Sequence, residues 1–470
     1  MSVLGKGLIT VTLSLLVALP TGPGLAADNG NDETPGLMAV YQLAVDNDPR
    51  IAQARARLDQ AREARPQARA ALLPSVSLTA AVEQSRQDGE QIGFDAQGNL
   101  GLQDIETTVD STSYGIEVRQ TLFRWDRWVG LSEADARVAQ AESEYEGALQ
   151  DLLIRTAGAY FDLLAAKDTL DTRRTTREAF EMEKERAEFA REVGTASRTD
   201  VEEARAAHDR ALSDEIAAER EVEVAREALL ELTGRYIRDV KPPVREVEPR
   251  LPDPEDIDFW VSRALETNPE LKATEFVAEA SQQRVRQARG GRYPTLDLVA
   301  SRRWVDTSSD DNPFVNRDTV DDNIQLQLNV PLFTGGENTS RIREARAAER
   351  EAWSGVKLAT REVRRETRDS FLGIRSGVAR VSALRQAVRS GETAVEATEV
   401  GVEVGSRSTV DLLNARRELA NARAELSQVR YAYLLDTLRL QRAVGQLDVN
   451  ELERLSGLFT GSPGEDVHGD

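Results

Sequence analysis

The chain has no cysteine in 470 residues, so it can hold neither a disulfide framework nor a thiolate metal site, and no lipid-attachment cysteine can follow a leader. Histidine occurs only twice, which removes the usual nitrogen ligands for zinc or copper. No run of ~18 or more apolar residues is present, so no transmembrane helix can be drawn. Clustered basic residues are missing as well. Asp and Glu outnumber Lys and Arg by 81 to 60, a net charge of −21, and the arginines are interleaved with acids along the chain. That excludes the basic footprint a nucleic-acid backbone demands and matches solvated helix faces instead. A phosphate-cradling glycine loop, a nucleophile elbow and metal-ligand spacing are all lacking, so neither an enzyme nor a bound cofactor is expected.

What is there is a duplication. Ala44 to Pro49 (Ala-Val-Asp-Asn-Asp-Pro) returns as Ala264 to Pro269 (Ala-Leu-Glu-Thr-Asn-Pro), an offset of about 220 residues. Gln-Ala-Arg from Gln67, before Pro74, returns from Gln287, before Pro294. Further on the offset is about 210: Leu122-Phe123 with Leu332-Phe333, Val193-Gly194 with Val404-Gly405, Asp200 with Asp411, and Gly234 with Gly445. Repeats this large mean a doubled fold, not a solenoid. The expected division is a signal peptide over 1–27, a linker over 28–37, repeat 1 over 38–234, a Pro-rich crossover over 235–257, repeat 2 over 258–446, and a tail over 447–470. The leader rests on Lys6, the apolar run Leu8 to Leu19 and the small residues Gly24-Leu25-Ala26.

Each repeat reads as helix, two strands, very long helix, break, helix. The first helix is expected from Leu37 to Leu73. Strands are expected over about 75–86, 112–123, 295–305 and 322–333, because the periodicity there becomes two. Val76 and Leu78, Ile116 and Val118, Leu296 and Leu298, and Leu326 and Leu328 share the apolar side; Ser, Thr, Gln, Asp and Arg fill the other. Four such strands suit a transmembrane barrel wall, with these eight residues facing lipid. Tyr114 and Trp304 are candidate girdle aromatics, and Asp306 to Asp322 is expected as a solvated outer loop. Four strands cannot close alone, and an open edge in hydrocarbon leaves backbone groups unpaired at several kcal/mol each, so closure requires further copies. From Asp126 to Arg191, and from Glu337 to Glu403, about 65 residues with no proline would extend on the order of 100 Å as helix. Ser197 with Asp200, and Ser408 with Asp411, are spaced as capping boxes at the restart of each returning helix.

These features together resemble the outer membrane efflux protein family. The strings that carry the likeness are Ala44 to Pro49, Gln67 to Pro74, Gln120 to Phe123 (Gln-Thr-Leu-Phe), Val330 to Gly336 (Val-Pro-Leu-Phe-Thr-Gly-Gly) and Val404 to Arg416. The resemblance implies a mainly α fold with a β-barrel portion: a long α-helical barrel plus a transmembrane β-barrel, four strands per chain and twelve in a homotrimer. It implies an outer-membrane exit duct, bound by lipid, serving an inner-membrane transporter of ABC or RND type through a periplasmic adaptor, most like the type I secretion members. By motif, Asp411 falls at a ring aspartate and Arg407 at a gate-linking arginine, with Asp200 as the first-repeat counterpart of Asp411. Asn414 replaces a second aspartate and Val402 a gate tyrosine, which implies fewer latching contacts. Gly194 and Gly405 fall at adaptor-facing tips. Plainer roles stay open: Asp411 and Asp200 as helix caps, the glycines as turn residues. A periplasmic coiled-coil scaffold without a pore remains the alternative at this point.

Overall fold

The computed structural model describes residues 34–94, 100–243, 248–310 and 315–460. The leader, most of the linker and the end of the tail lie outside the described residues. In chain order the elements are α1 (Leu37–Asn47), α2 (Pro49–Arg62), α3 (Ala64–Ala70), β1 (Ser75–Phe94), β2 (Leu100–Phe123), α4 (Trp125–Glu192) and α5 (Arg198–Thr233). The pattern then repeats with α6 (Ile257–Thr267), α7 (Pro269–Gly290), β3 (Thr295–Ser308), β4 (Arg317–Asn329), α8 (Glu337–Glu403) and α9 (Thr409–Ala443), followed by α10 (Val449–Thr460).

The 68 residues of α4 and 67 of α8 each extend about 100 Å. Both end in a glycine at positive φ, Gly194 at 82° and Gly405 at 75°, where an L side chain would be strained. The returning helices α5 and α9 begin with complete capping boxes and stop at Gly234 and Gly445, again at positive φ. These stops explain the duplicated Pro49 and Pro269 motifs. Gly234 lies against Asn47, and Gly445 against the backbone of Thr267, so each kinked helix pair docks on the end of its own returning helix. Asp48 caps α2 by accepting from the amides of Arg50 at 2.6 Å and Ile51 at 3.1 Å, while Asn268 caps α7 through Leu271 N at 3.0 Å.

The core is a belt at mid-height of the long helices. Tyr160, Phe161 and Leu163 of α4 and Ile374 of α8 are buried there with Leu229, Leu438 and Leu440 of the returning helices. Leu37 of α1 and Leu452 of α10 are in the same cluster. Elsewhere the helices pair through alanines, such as Ala204, Ala207 and Ala211 on α5.

Five expectations need correction. The helix expected from Leu37 to Leu73 is three pieces, because Pro49 and Pro66 each lack an amide proton and Asp48 starts a new helix. The strands expected at 75–86 and 112–123 extend through most of the segment read as a loop, to Phe94 and from Leu100, and pair along their length. The strand expected to reach residue 333 stops at Asn329, ahead of Pro331, which cannot donate to a ladder. The 447–470 tail holds α10, whose Leu452 is buried in the belt core. Asp306 to Asp322 is only partly a loop, since β3 continues to Ser308 and β4 resumes at Arg317.

Candidate functional site

The four strands form one antiparallel sheet in the order β1-β2-β3-β4. Its register aligns residues of like polarity into rows. Val76, Val118, Ala300 and Ile324 form one row, and Leu298 pairs with Leu326 as Leu296 does with Leu328. One residue along, Ser77, Glu117, Ser301 and Asn323 make a polar row on the other face. No helix packs substantially on either face among the described residues. The apolar side is therefore bare: Leu78 is 76 % exposed, Ile324 81 % and Leu326 62 %, while Ser113, Thr121 and Val299 on the polar side are buried. Val76, Ile116 and Leu328 are likewise exposed; Val118, Leu296 and Leu298 are half-buried. Only the polar side being enclosed means the sheet curls with that side inward. β1 and β4 each pair on one edge only, leaving the other ladder open.

Two features of this sheet were not read from the sequence. A register shift between Thr121 and Phe123 puts Phe123, not Leu122, opposite Leu296. Arg302 sits on the apolar side, in the row of Leu78 and Ile116, where it meets Asp322 at 3.5 Å and lies 5.2 Å from the Trp304 ring centroid. Trp304 in turn stacks on Tyr114 with ring centroids 5.2 Å apart. The signal was legible as a charge in the middle of that strand's apolar side.

At the far end lie the two hairpin tips. Asp411 closes the α9 capping box: its amide donates to Ser408 Oγ at 3.2 Å, and its Oδ2 accepts from Ser408 N at 3.0 Å. The bond from the Ser408 amide, then one from the Ser408 hydroxyl to the same Oδ2 at 2.9 Å, and the neighbouring Arg407 charge hold the Asp411 carboxyl below the usual carboxylate range. Asp200 does the same on α5, accepting from Ser197 N at 2.8 Å. The capping role is thus filled at both aspartates. It leaves the exposed outer side of Asp411 open to water, with Asn414 one turn on and also exposed. Leu412 and Leu413 fix that orientation, since both are buried and Leu413 joins Phe180, Ala207 and Ala211 of the first hairpin. Downstream the stripe Glu418, Asn421, Glu425 and Gln428 is exposed on the same helix, a run of polar groups at i, i+3/i+4 spacing.

Arg407 folds back over α8, so that a Cβ at Gly401 would come within 2.7 Å of its side chain. Within one chain the structure brings Arg407 near Asp411, but gives neither a bond to Asp200. An ionic tie between the hairpins lies higher, about 15 Å up α4 from the turn. There the buried Glu183 meets Arg416 at 3.6 Å and Arg186 at 3.4 Å, and Arg416 reaches Glu399 of α8 at 3.3 Å. Sequence reading missed this cluster, because nothing in spacing alone distinguishes Glu183 from the solvated acids around it. Gly194 and Gly405 have open space where a side chain would stand.

A barrel-forming sheet with a bare apolar side, set on two helical hairpins about 100 Å long, defines the class: a wall subunit of an envelope-spanning duct. The model of the outer membrane efflux protein family matches residues 40–235 and 260–446, and the chain belongs to that family. It is 32 % identical over 422 residues to the outer membrane protein TolC of Vibrio cholerae, covering 88 % of this chain and 92 % of that one. With the alkaline protease secretion protein AprF of Pseudomonas aeruginosa it shares 28 % identity over 428 residues, 90 % of this chain and 87 % of that one. The fold is that of the Campylobacter jejuni CmeC outer membrane channel, with a TM-score of 0.74 at 17 % identity over 89 % of each chain. The protein is an outer-membrane component of a Gram-negative envelope and acts as an exit duct in efflux or secretion. The pore-free scaffold is set aside by the family match and by the bare sheet.

Proposed function

We propose that three copies close a twelve-stranded barrel and conduct cargo passively from an inner-membrane pump, with no chemistry of their own. One observation carries this reading: a sheet with an uncovered apolar side and two open edges. Both edges are long, 20 residues in β1 and 13 in β4, and unpaired amides and carbonyls in hydrocarbon cost several kcal/mol each. In an antiparallel order of four, β4 of one copy runs antiparallel to β1 of the next, so a ring closes without a parallel seam. Two copies would give eight strands, whose side chains fill the interior; three leave a lumen.

Val76, Leu78, Ile116, Val118, Leu296, Leu298, Leu326 and Leu328 then face lipid. From Leu296 to Trp304 the strand rises about 26 Å, and a tilt of ~45° leaves roughly 19 Å of membrane depth. Tyr114, Trp304 and the Arg302–Asp322 pair mark the outer boundary; Phe123 and the exposed Phe333 mark the inner. At the periplasmic end, Asp411 and Asn414 of three copies face a common axis and, with Arg407 and Asp200, form the gate. Gly194 and Gly405 sit on the tips that meet a periplasmic adaptor. Similarity to AprF over most of both chains supports a protein-secretion pump of ABC type over an RND pump.

The test is the molar mass of the detergent-solubilised protein, by light scattering, with its single-channel current in planar bilayers. A trimer that conducts is expected. A stable monomer, or a trimer that passes no current in any pH or salt condition, defeats the reading.

A further inference from the structure

Above the hairpin tips, where the first hairpin meets α9, lies a small cavity. Its floor is apolar, made by the buried Phe180, Ala207 and Ala211. Arg173 of α4, Arg210 of α5 and Arg417 of α9 line it, with Asp214 one turn beyond Arg210. Arg210 is exposed and the other two are half-buried.

Arginines nearby on the same helices are ion-paired. Arg174 meets Glu219 at 2.9 Å, Arg177 meets Glu215 at 2.8 Å, Arg205 meets Glu188 at 2.8 Å and Arg423 meets Glu392 at 2.7 Å. Among the described residues, none of the three arginines at the cavity makes an ion pair. Neutral amides hold two of them instead: Arg173 donates to Asn421 Oδ1 at 3.2 Å and Arg417 to Asn414 Oδ1 at 3.5 Å. An amide oxygen positions a guanidinium without cancelling its charge. Like charges around one cavity repel, and a chain of net charge −21 has acids to spare for neutralising them. Guanidinium forks left unpaired in this way match the oxygens of phosphate and carboxylate groups.

The two amides also give the side on which the cavity opens. Asn414 and Asn421 belong to the exposed stripe of α9 that begins with Asp411. In the trimeric duct proposed above, on which this rests, that stripe faces the axis. Arg417 stands six residues, about 9 Å, further from the tip than Asp411. We propose that the cavity is an anion site on the inner wall of the duct, one per subunit, taking phosphate or carboxylate groups of molecules in transit. The inner wall near the tips then carries two rings of opposite sign, acidic at Asp411 and basic above it.

Pyrophosphate and citrate are the probes, one for each kind of acid group. Calorimetric titration of the detergent-solubilised trimer should show one site per chain for at least one of them. Arg210→Gln and Arg417→Gln should each weaken it about tenfold or more, as each removes a charge-assisted hydrogen bond. Arg174→Gln, at a paired arginine in a separate groove, should leave it unchanged. The anion that binds should also reduce single-channel current in planar bilayers, and do so far less in Arg210→Gln. A conducting trimer that binds neither anion, or whose two variants bind as the parent does, overturns the inference and leaves the duct standing. Binding without loss of current puts the cavity on the outer wall and overturns it as well. A chain that stays monomeric or never conducts overturns the duct, and the inner-wall site with it.

Discussion

At the kink before Pro49 a buried carboxylate, Asp48, caps α2 and pairs with Arg155 of α4 at 2.7 Å; at the kink before Pro269 a neutral amide, Asn268, caps α7 and donates to the Ala443 carbonyl at 3.0 Å. Each position has to satisfy the first amides of a helix that starts at a proline and abuts the end of another helix. Duplication preserved that backbone requirement and let the charge diverge. The same holds at the tips, where both boxes survive, although Asp411 is exposed and Asp200 half-buried. It fails in the sheet, where the first hairpin has 20 pairs and the second 13. Closing the barrel constrains only the rows that all four strands share.

The sharpest break should come from Arg155→Ala, which strands Asp48 without its ion and should cost about 3–5 kcal/mol. Asn268→Ala, which removes a neutral cap and one donor, should cost about 1–2 kcal/mol. Urea midpoints of the detergent-solubilised protein, followed by circular dichroism, measure both. Equal losses would mean that the charge in the first repeat contributes nothing particular. Next in size is the contrast between the two sides of the sheet. Leu326→Arg should destabilise insertion by about 2–4 kcal/mol, while Gln327→Arg, one residue along and facing inward, should leave assembled protein in the membrane fraction unchanged.

Smaller effects separate capping from gating. Ser408→Ala and Ser197→Ala should each cost about 1 kcal/mol in thermal or urea unfolding, since both remove one cap. Asp411→Ala, at the residue facing the axis, should raise conductance or weaken cation block in bilayers more than Asp200→Ala does. Identical currents for the two would leave Asp411 a cap alone. The mildest difference is in acid. Burial by itself raises the Asp48 carboxyl, but the hydrogen bond and charge of Arg155 with the Ile51 and Arg50 amides hold it below its ordinary value. A carboxylate depressed in the fold contributes stability above the unfolded value near ~3.9 and loses it as pH falls through the folded one. Asp48→Asn should therefore flatten the acid limb of the stability profile below about pH 4, and Asn268→Gln should not.

Much of this architecture could be read from residue order. The long helices showed in stretches without proline, the turns in Gly194 and Gly405, the caps in Ser-x-x-Asp, and the barrel wall in period-two alternation. What escaped was nonlocal. Glu183 looks like any other surface acid until α9 brings Arg416 beside it. Arg302 reads as a misplaced charge until Asp322 and Trp304 are seen across the strands. Alternation continues weakly past Glu83 because polar and charged residues from Gln84 to Glu90 interrupt the apolar side, so strand length was underread there.

By itself the sequence determined which segments bend, cap, alternate and stop, because those depend on φ restrictions, missing amide protons and side-chain period within a few residues. The tertiary structure decided which charges share a buried site, which side of α9 stays wet, and how far the sheet outruns its closed wall. Those depend on register and packing between segments tens to hundreds of residues apart, where local preference carries no information.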